Sequence, residues 1–216
     1  MQKMYSFLDK IIIEVDHALK TVFTKPTKNS ICRINPANKI YGEENFSIQE
    51  TQKIIGYMRV NHTGEICAQA LYRGQALVAK SNTTRNDLLD SANEEQDHLY
   101  WCYQRISELN GRTSALNPLW YFGSFFIGST AALISDEISY GFIIETEHQV
   151  MSHLNKHLKK LPHKDKKSHA ILSQMYLDEA EHAQHAKTKG GKKLPLLIRL
   201  GMNAQSKIMT SIAYRL

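Results

Sequence analysis

Two short stretches decide the fold: EEQDHLYWC at residues 94–102 and DEAEHAQHA at residues 178–186. Each carries a Glu followed three positions later by a His, Glu95 with His98 and Glu179 with His182. On an α-helix, positions i and i+3 share a face, about 4.5 Å apart along the axis. One carboxylate and one imidazole can therefore point at one ion. A single such pair arises easily in a chain with 10 His, so its weight depends on its company. Glu65 lies in NHTGEICAQALYRG on a stripe with Met58, Ala68 and Tyr72. Glu147 lies in GFIIETEHQVMSHL with Tyr140, Ile143, Ile144, Val150, Met151 and Leu154. A carboxylate in an apolar stripe is costly unless it is paired or bound to metal.

One Glu from each of two helices, with Glu-x-x-His from each of two others, is the known donor set of ferritin-like di-iron and di-manganese bundles. The expected metal ligands are Glu65, Glu95, His98, Glu147, Glu179 and His182. Glu65 to Glu95 is 30 residues and Glu147 to Glu179 is 32, while 52 residues separate Glu95 from Glu147 and leave room for a crossover. Four carboxylates and two divalent cations sum to zero charge, which accounts for sharing one core. Six N/O donors on four helices suit two ions roughly 3.5–4 Å apart. A mononuclear iron or four-coordinate zinc site would need fewer. Glu94, Asp97, Glu145 and Glu181 are expected to be surface acids.

Elsewhere in the chain helical signals dominate. Residues 5–22 alternate apolar and polar near a 3.6 period, and residues 23–46, with Pro26, Pro36 and Gly42, read as loop. Ser47 and Glu50 form a capping box opening a helix over about 48–80. Ser81 caps the next, which stops at Asn110 and Gly111. Pro118 opens an uncharged segment, LWYFGSFFIGSTAALIS, ending at Asp136. Further helices are expected over 136–160, 165–188 and 195–214, the last opened by Pro195. The fold class is all-α: a ferritin-like four-helix bundle with a di-metal core plus apolar and amphipathic helices. The organisation is one domain over 1–216, with an N-terminal helix and loop (1–46), the bundle (47–190) and a C-terminal amphipathic helix (191–216).

Composition agrees. The chain has 216 residues, 42% hydrophobic and 22% charged, with 5 Pro and 11 Gly. That excludes disordered, collagen-like and low-complexity classes and disfavours an all-β chain. Cys32, Cys67 and Cys102 are odd in number and far apart, which suits a reducing compartment and argues against zinc ribbons and disulfide frameworks. The N-terminal stretch carries Asp9, Glu14 and Asp16, unlike a signal or transit peptide. The net charge of +6 is uneven: 14 basic and 17 acidic residues over 1–155, against 13 and 4 over 156–216. With no nucleic-acid motif beside it, the basic C-terminal part favours an anionic membrane surface.

MRVNHTGEICAQALYRGQ (58–75), EEQDHLYWC, ETEHQVMSHL (145–154) and DEAEHAQHA resemble the demethoxyubiquinone hydroxylases, flavin-independent di-iron monooxygenases of ubiquinone biosynthesis. The resemblance runs over nearly the whole chain. The segment from Asn61 through His62 and Gly64 to Glu65 is its most specific part, since generic ferritins lack it. The family's ligands fall on the six residues already named. Its supporting His, six residues after the third-helix Glu, falls on His153. The resemblance implies two Fe ions, O2, hydroxylation of a polyprenyl demethoxy-quinol, and electrons ultimately from a reduced nicotinamide cofactor. No Gly-x-Gly-x-x-Gly fingerprint is present, so such a donor binds without a Rossmann unit or acts through another protein. Other ubiquinone-biosynthesis proteins are possible partners, and nucleic acid is not expected. His153 is expected either to relay a proton or simply to support the site.

A tailed quinol lives in the bilayer, and Thr113–Ser135 is free of charge over 23 residues. Its Gly, Ser, Thr, Asn and Pro content favours a buried or interfacial helix over a span. Trp120, Tyr121, Phe122, Phe125 and Phe126 suit the headgroup boundary. The last helix mixes Leu196, Leu197, Leu200, Ile208, Met209 and Ile212 with Arg199, Lys207 and Arg215, as a basic anchor would. The expected location is peripheral, on the cytoplasmic side of a bacterial inner membrane. Two rivals stand beside the hydroxylase. One is a ferritin- or rubrerythrin-like protein handling iron or peroxide. The other is a non-catalytic membrane scaffold, which has no need of buried Glu.

Overall fold

The computed structural model describes residues 6–26, 33–42 and 45–216. The expected helix start at residue 5, and Cys32, lie outside them. Among the described residues the structure is all-helical. The helices are α1 (Phe7–Phe23), α2 (Ile48–Val78), α3 (Asn82–Glu108), α4 (Asn117–Ile134), α5 (Asp136–Lys160), α6 (Lys166–Thr188) and α7 (Leu196–Ala213), with a 3-10 turn at Pro36–Lys39. The boundaries follow local chemistry. Ser47 accepts from the Glu50 amide while the Glu50 carboxylate takes the Ser47 amide, a box worth about 1 kcal/mol. Asn110 and Gly190 carry the positive φ that ends α3 and α6. Pro195 caps α7 and is not its first residue.

α2, α3, α5 and α6 form the bundle as two hairpins, α2 with α3 and α5 with α6, and α4 crosses between them against α2. Two large apolar layers fill the bundle. One joins Ile54, Met58, Trp101, Ile106, Leu154, Ile171, Leu172 and Met175. The other joins Ala68, Tyr72, Leu88, Ala92, Tyr140, Ile143 and Ala186. Glu65, Glu95, Glu147 and Glu179 fall between the layers in sequence on their own helices, and all four are buried.

α4 packs on α2 through glycine. A methyl at Gly74 would collide with the Phe125 carbonyl oxygen, and one at Gly128 with that of Leu71. This approach turns Tyr121 into the core against Leu99 and Ile66, so Tyr121 is not a headgroup-boundary residue. Phe122 and Phe126 are exposed. α1 is amphipathic but inverted. It buries Glu14 against Arg73 of α2 at 3.2 Å, and it exposes Leu8, Ile12, Val15, Leu19 and Phe23. No helix among the described residues is long and apolar enough to cross a membrane.

Candidate metal centre

The four bundle helices bring all six predicted donors together in two overlapping groups. Glu65, Glu95, His98 and Glu179 form one, and Glu95, Glu147, Glu179 and His182 the other, with the donor atoms of each within 4.8 Å of one another. Glu95 and Glu179 belong to both. A carboxylate has two oxygens, so each shared Glu could serve both positions.

The imidazoles point inward through Nδ1. His98 Nδ1 lies 2.9 Å from Glu95, 3.2 Å from Glu179 and 3.6 Å from Glu65. His182 Nδ1 lies 3.0 Å from Glu95 and 3.2 Å from Glu179. Their outer nitrogens are each held by a carboxylate, His98 Nε2 by Asp178 and His182 Nε2 by Glu94, both at 2.8 Å. Such outer contacts fix the tautomer and leave Nδ1 free for a metal.

Charge sorts itself accordingly. Burial and the Glu95 and Glu179 charges push the Glu65 pKa well above its ordinary value. Burial, then Glu179 and Glu95, do the same to Glu147. Burial opposes the charge of His98, but Asp178, Glu179, Glu65 and Glu95 raise its pKa well above that of free imidazole. Burial is likewise outweighed at His182 by Glu95, Glu179 and Glu94. Burial would raise Glu95, yet His182 and His98 pull it below the usual carboxylate range. With no metal bound, the surroundings therefore favour the protonated forms of Glu65, Glu147, His98 and His182.

Donor chemistry fits two divalent ions. All six donors are nitrogen or oxygen, which suits iron or manganese. Among the described residues, one oxygen each of Glu95, Glu147 and Glu179 is buried without a well-directed hydrogen bond, the condition of ligands needing a cation. Tyr72 OH donates to the other Glu147 oxygen.

Three features were not foreseen. Asp97, expected at the surface, is 2% exposed. The backbone amide of Arg33 donates to it at 3.2 Å and Arg33 Nε at 3.1 Å. Arg33 also reaches Asp178 at 2.8 Å and lies 5.1 Å over the Trp101 ring, so it gathers the outer carboxylates of α3 and α6. Glu145 is half-buried against Arg199 of α7 at 2.8 Å. Asn61 Oδ1 accepts from His157 Nδ1 at 3.0 Å, and His157 stacks on Tyr57. Burial lowers the His157 pKa to about 3, so it is neutral. His62 is buried beside Tyr103 and joins neither donor group.

A cavity of about 120 Å³ reaches Glu65 from between α2, α4, α5 and α7. Trp120, Ile127, Phe142, Val150, Met202 and Met209 are among its walls. His153 lines it as well, with Nε2 2.9 Å from Ser206 Oγ. His153 is therefore beside the cavity and outside both donor groups. Burial and Lys156 lower its pKa.

The family described as Ubiquinone biosynthesis protein COQ7 matches residues 52–213. The chain is 52% identical over 215 residues to the 3-demethoxyubiquinol 3-hydroxylases of Francisella philomiragia subsp. philomiragia and Francisella tularensis subsp. novicida, the whole of each chain being covered. Among solved structures, the bacterioferritin-related protein from Bacteroides fragilis, described as a dodecameric thioferritin, aligns with a TM-score of 0.53. That alignment covers 73% of this chain and 90% of that one at 18% identity. The likeness speaks for the ferritin-like fold alone.

Proposed function

The chain belongs to the family of ubiquinone biosynthesis protein COQ7, and we propose that it hydroxylates 3-demethoxyubiquinol with O2 at a centre of two iron ions. It is an oxidoreductase of ubiquinone biosynthesis. Glu65, Glu95, His98 and Glu179 would hold one ion, and Glu95, Glu147, Glu179 and His182 the other. Two ferrous ions held there would supply the electron pair that O2 activation requires.

The chain's own residues do the rest. Asp178 and Glu94 orient the two imidazoles. The Tyr72 phenol, kept protonated by burial, donates to Glu147 and sets its rotamer. The cavity takes the quinol ring from the side of α4 and α7 and ends it at Glu65. Its largely apolar walls exclude water from the reacting edge. His153, whose pKa burial and Lys156 lower, would take or pass a proton at Nε2 through Ser206.

What supports this reading is the pair of donor groups sharing Glu95 and Glu179, beside a largely apolar cavity that Glu65 lines. Iron storage, the rival use of the same donors, has no need of such a cavity. The test is anaerobic loading with ferrous iron, then O2, a reductant and a short-tailed demethoxyubiquinol. The expected product is the hydroxylated quinol. Oxygen consumption with the quinol unchanged would reject the reading.

The tail and the location follow. Leu119, Phe122 and Phe126 of α4, with Leu196, Leu197, Leu200 and Ile208 of α7, are exposed and would face the bilayer from a peripheral position. Vesicle flotation with anionic lipid is expected to fall in the Leu196→Glu, Ile208→Glu double variant. Equal flotation would contradict this placement. Electrons come ultimately from a reduced nicotinamide cofactor, directly or through another ubiquinone-biosynthesis protein.

A further inference from the structure

A second cleft, of about 760 Å³, opens where the first half of α2, the turn after α3 and the end of α7 meet. Lys53, Arg59, Arg112 and Arg215 line it beside Gln49 and Gln52, with no acidic residue among its walls. Arg59 is the unusual member, being only 8% exposed. Its Nε donates to the Arg112 carbonyl at 2.7 Å and its Nη1 to the Tyr214 carbonyl at 3.2 Å. Those bonds fix the guanidinium but supply no counter-charge. The other two buried arginines are neutralised: Arg105 reaches Asp165 at 2.9 Å and Arg73 reaches Glu14 at 3.2 Å.

None of the four cleft cations forms an ion pair among the described residues. Burial and the neighbouring Arg112 both oppose the charge on Arg59. A buried cation is costly unless an anion meets it. The wall is also fixed in place. The Tyr214 ring lies against Gly56 and 5.3 Å from Tyr57, so the end of α7 cannot swing away without losing that contact.

We propose that this cleft binds a phosphate-bearing anion, its oxygens shared among Arg59, Lys53, Arg112 and Arg215. Guanidinium groups match phosphate oxygens in pairs, and four positive charges favour a polyanion over a single carboxylate. The volume far exceeds one phosphate, so the group arrives on a larger molecule. A soluble nucleotide diphosphate and a phospholipid headgroup present the same chemistry.

The test uses the full, metal-loaded chain. Pyrophosphate binding is measured by calorimetry, and flotation is measured with phosphatidylglycerol and phosphatidylcholine vesicles. The variant is Lys53→Glu, Arg112→Glu, since both side chains are exposed. A Lys156→Glu, Lys159→Glu variant on α5 controls for net charge. Pyrophosphate affinity is expected to fall about tenfold or more in the cleft variant and far less in the control. If flotation on phosphatidylglycerol falls with it, and pyrophosphate competes for that flotation, the source is a headgroup. If flotation is unchanged, the source is soluble. Pyrophosphate that does not bind wild type, or that binds the cleft variant no worse than the control, overturns the proposal.

Discussion

The carboxylate cluster and the apolar cavity beside it meet at Glu65, and they are made of opposite materials. The cluster is six ionisable side chains contributed by α2, α3, α5 and α6, all within the bundle. The cavity is mostly apolar, and two of its four walls, α4 and α7, lie outside the bundle. The cluster is held by charge. Every donor is oriented by another charged or hydrogen-bonded group, down to Arg33 on the outer carboxylates. The cavity is held by shape, through the close approach of α4 to α2 at Gly74 and Gly128. The division teaches that metal retention and substrate handling are separable: damage to one region should leave the other readable.

The largest effect should come from the shared ligands. Glu95→Ala or Glu179→Ala is expected to abolish turnover while circular dichroism still reports a helical fold. Two metals retained with normal turnover would end the assignment. Next comes Val150→Trp, which fills the cavity from α5. Turnover is expected to drop about a hundredfold with metal content unchanged. Loss of metal in that variant would blur the division between the regions. His153→Ala sits between them. It should keep both metals and lose about 10–100-fold in turnover, the usual cost of a group that supports a site without ligating metal. Loss of one metal would make His153 a ligand.

The smallest effect is a pH dependence. Metal-free, the folded chain holds protons on Glu65, Glu147, His98 and His182, all with raised pKa values. The unfolded chain gives these up near about 4.3 for Glu and 6.5 for His. The folded state therefore binds more protons across pH 5–8, and its stability falls as pH rises there. Glu95 is lowered, so its own contribution changes only at acid pH. Bound cations displace the four protons, so the stabilisation by metal grows with pH. Calorimetry should find the metal-free Tm declining by a few degrees from pH 5 to 8, and the Tm gain on adding metal increasing. A metal-free Tm that rises over that window would contradict the charge assignment.

The cluster was legible in the sequence because its signal is local. Glu-x-x-His is one helical turn, and a Glu in an apolar stripe needs only its neighbours to be noticed. Asp97 reads as a surface acid in the sequence because Arg33, which binds it, lies 64 residues away in the chain. Asp178 stands next to Glu179, and adjacency along a helix gives no hint that it turns to His98. The helix α1 was found by periodicity, but periodicity does not say which face turns inward. Arg73 and Gln69 of α2 draw in Glu14 and Thr21, leaving the apolar stripe outside. In α4, which carries no charge, the inward turn of Tyr121 depends on two glycine contacts with α2 that no local pattern reveals.

If Glu95 and Glu179 serve two metal positions at once, the number of ions bound per chain must respond to each of them. An anaerobic titration with ferrous iron, read as bound iron per chain, tests it most directly. Wild type should bind two, Glu65→Ala and Glu147→Ala one each, and Glu95→Ala close to none. A wild type that saturates at one iron, or a Glu95→Ala variant that keeps two, would contradict it.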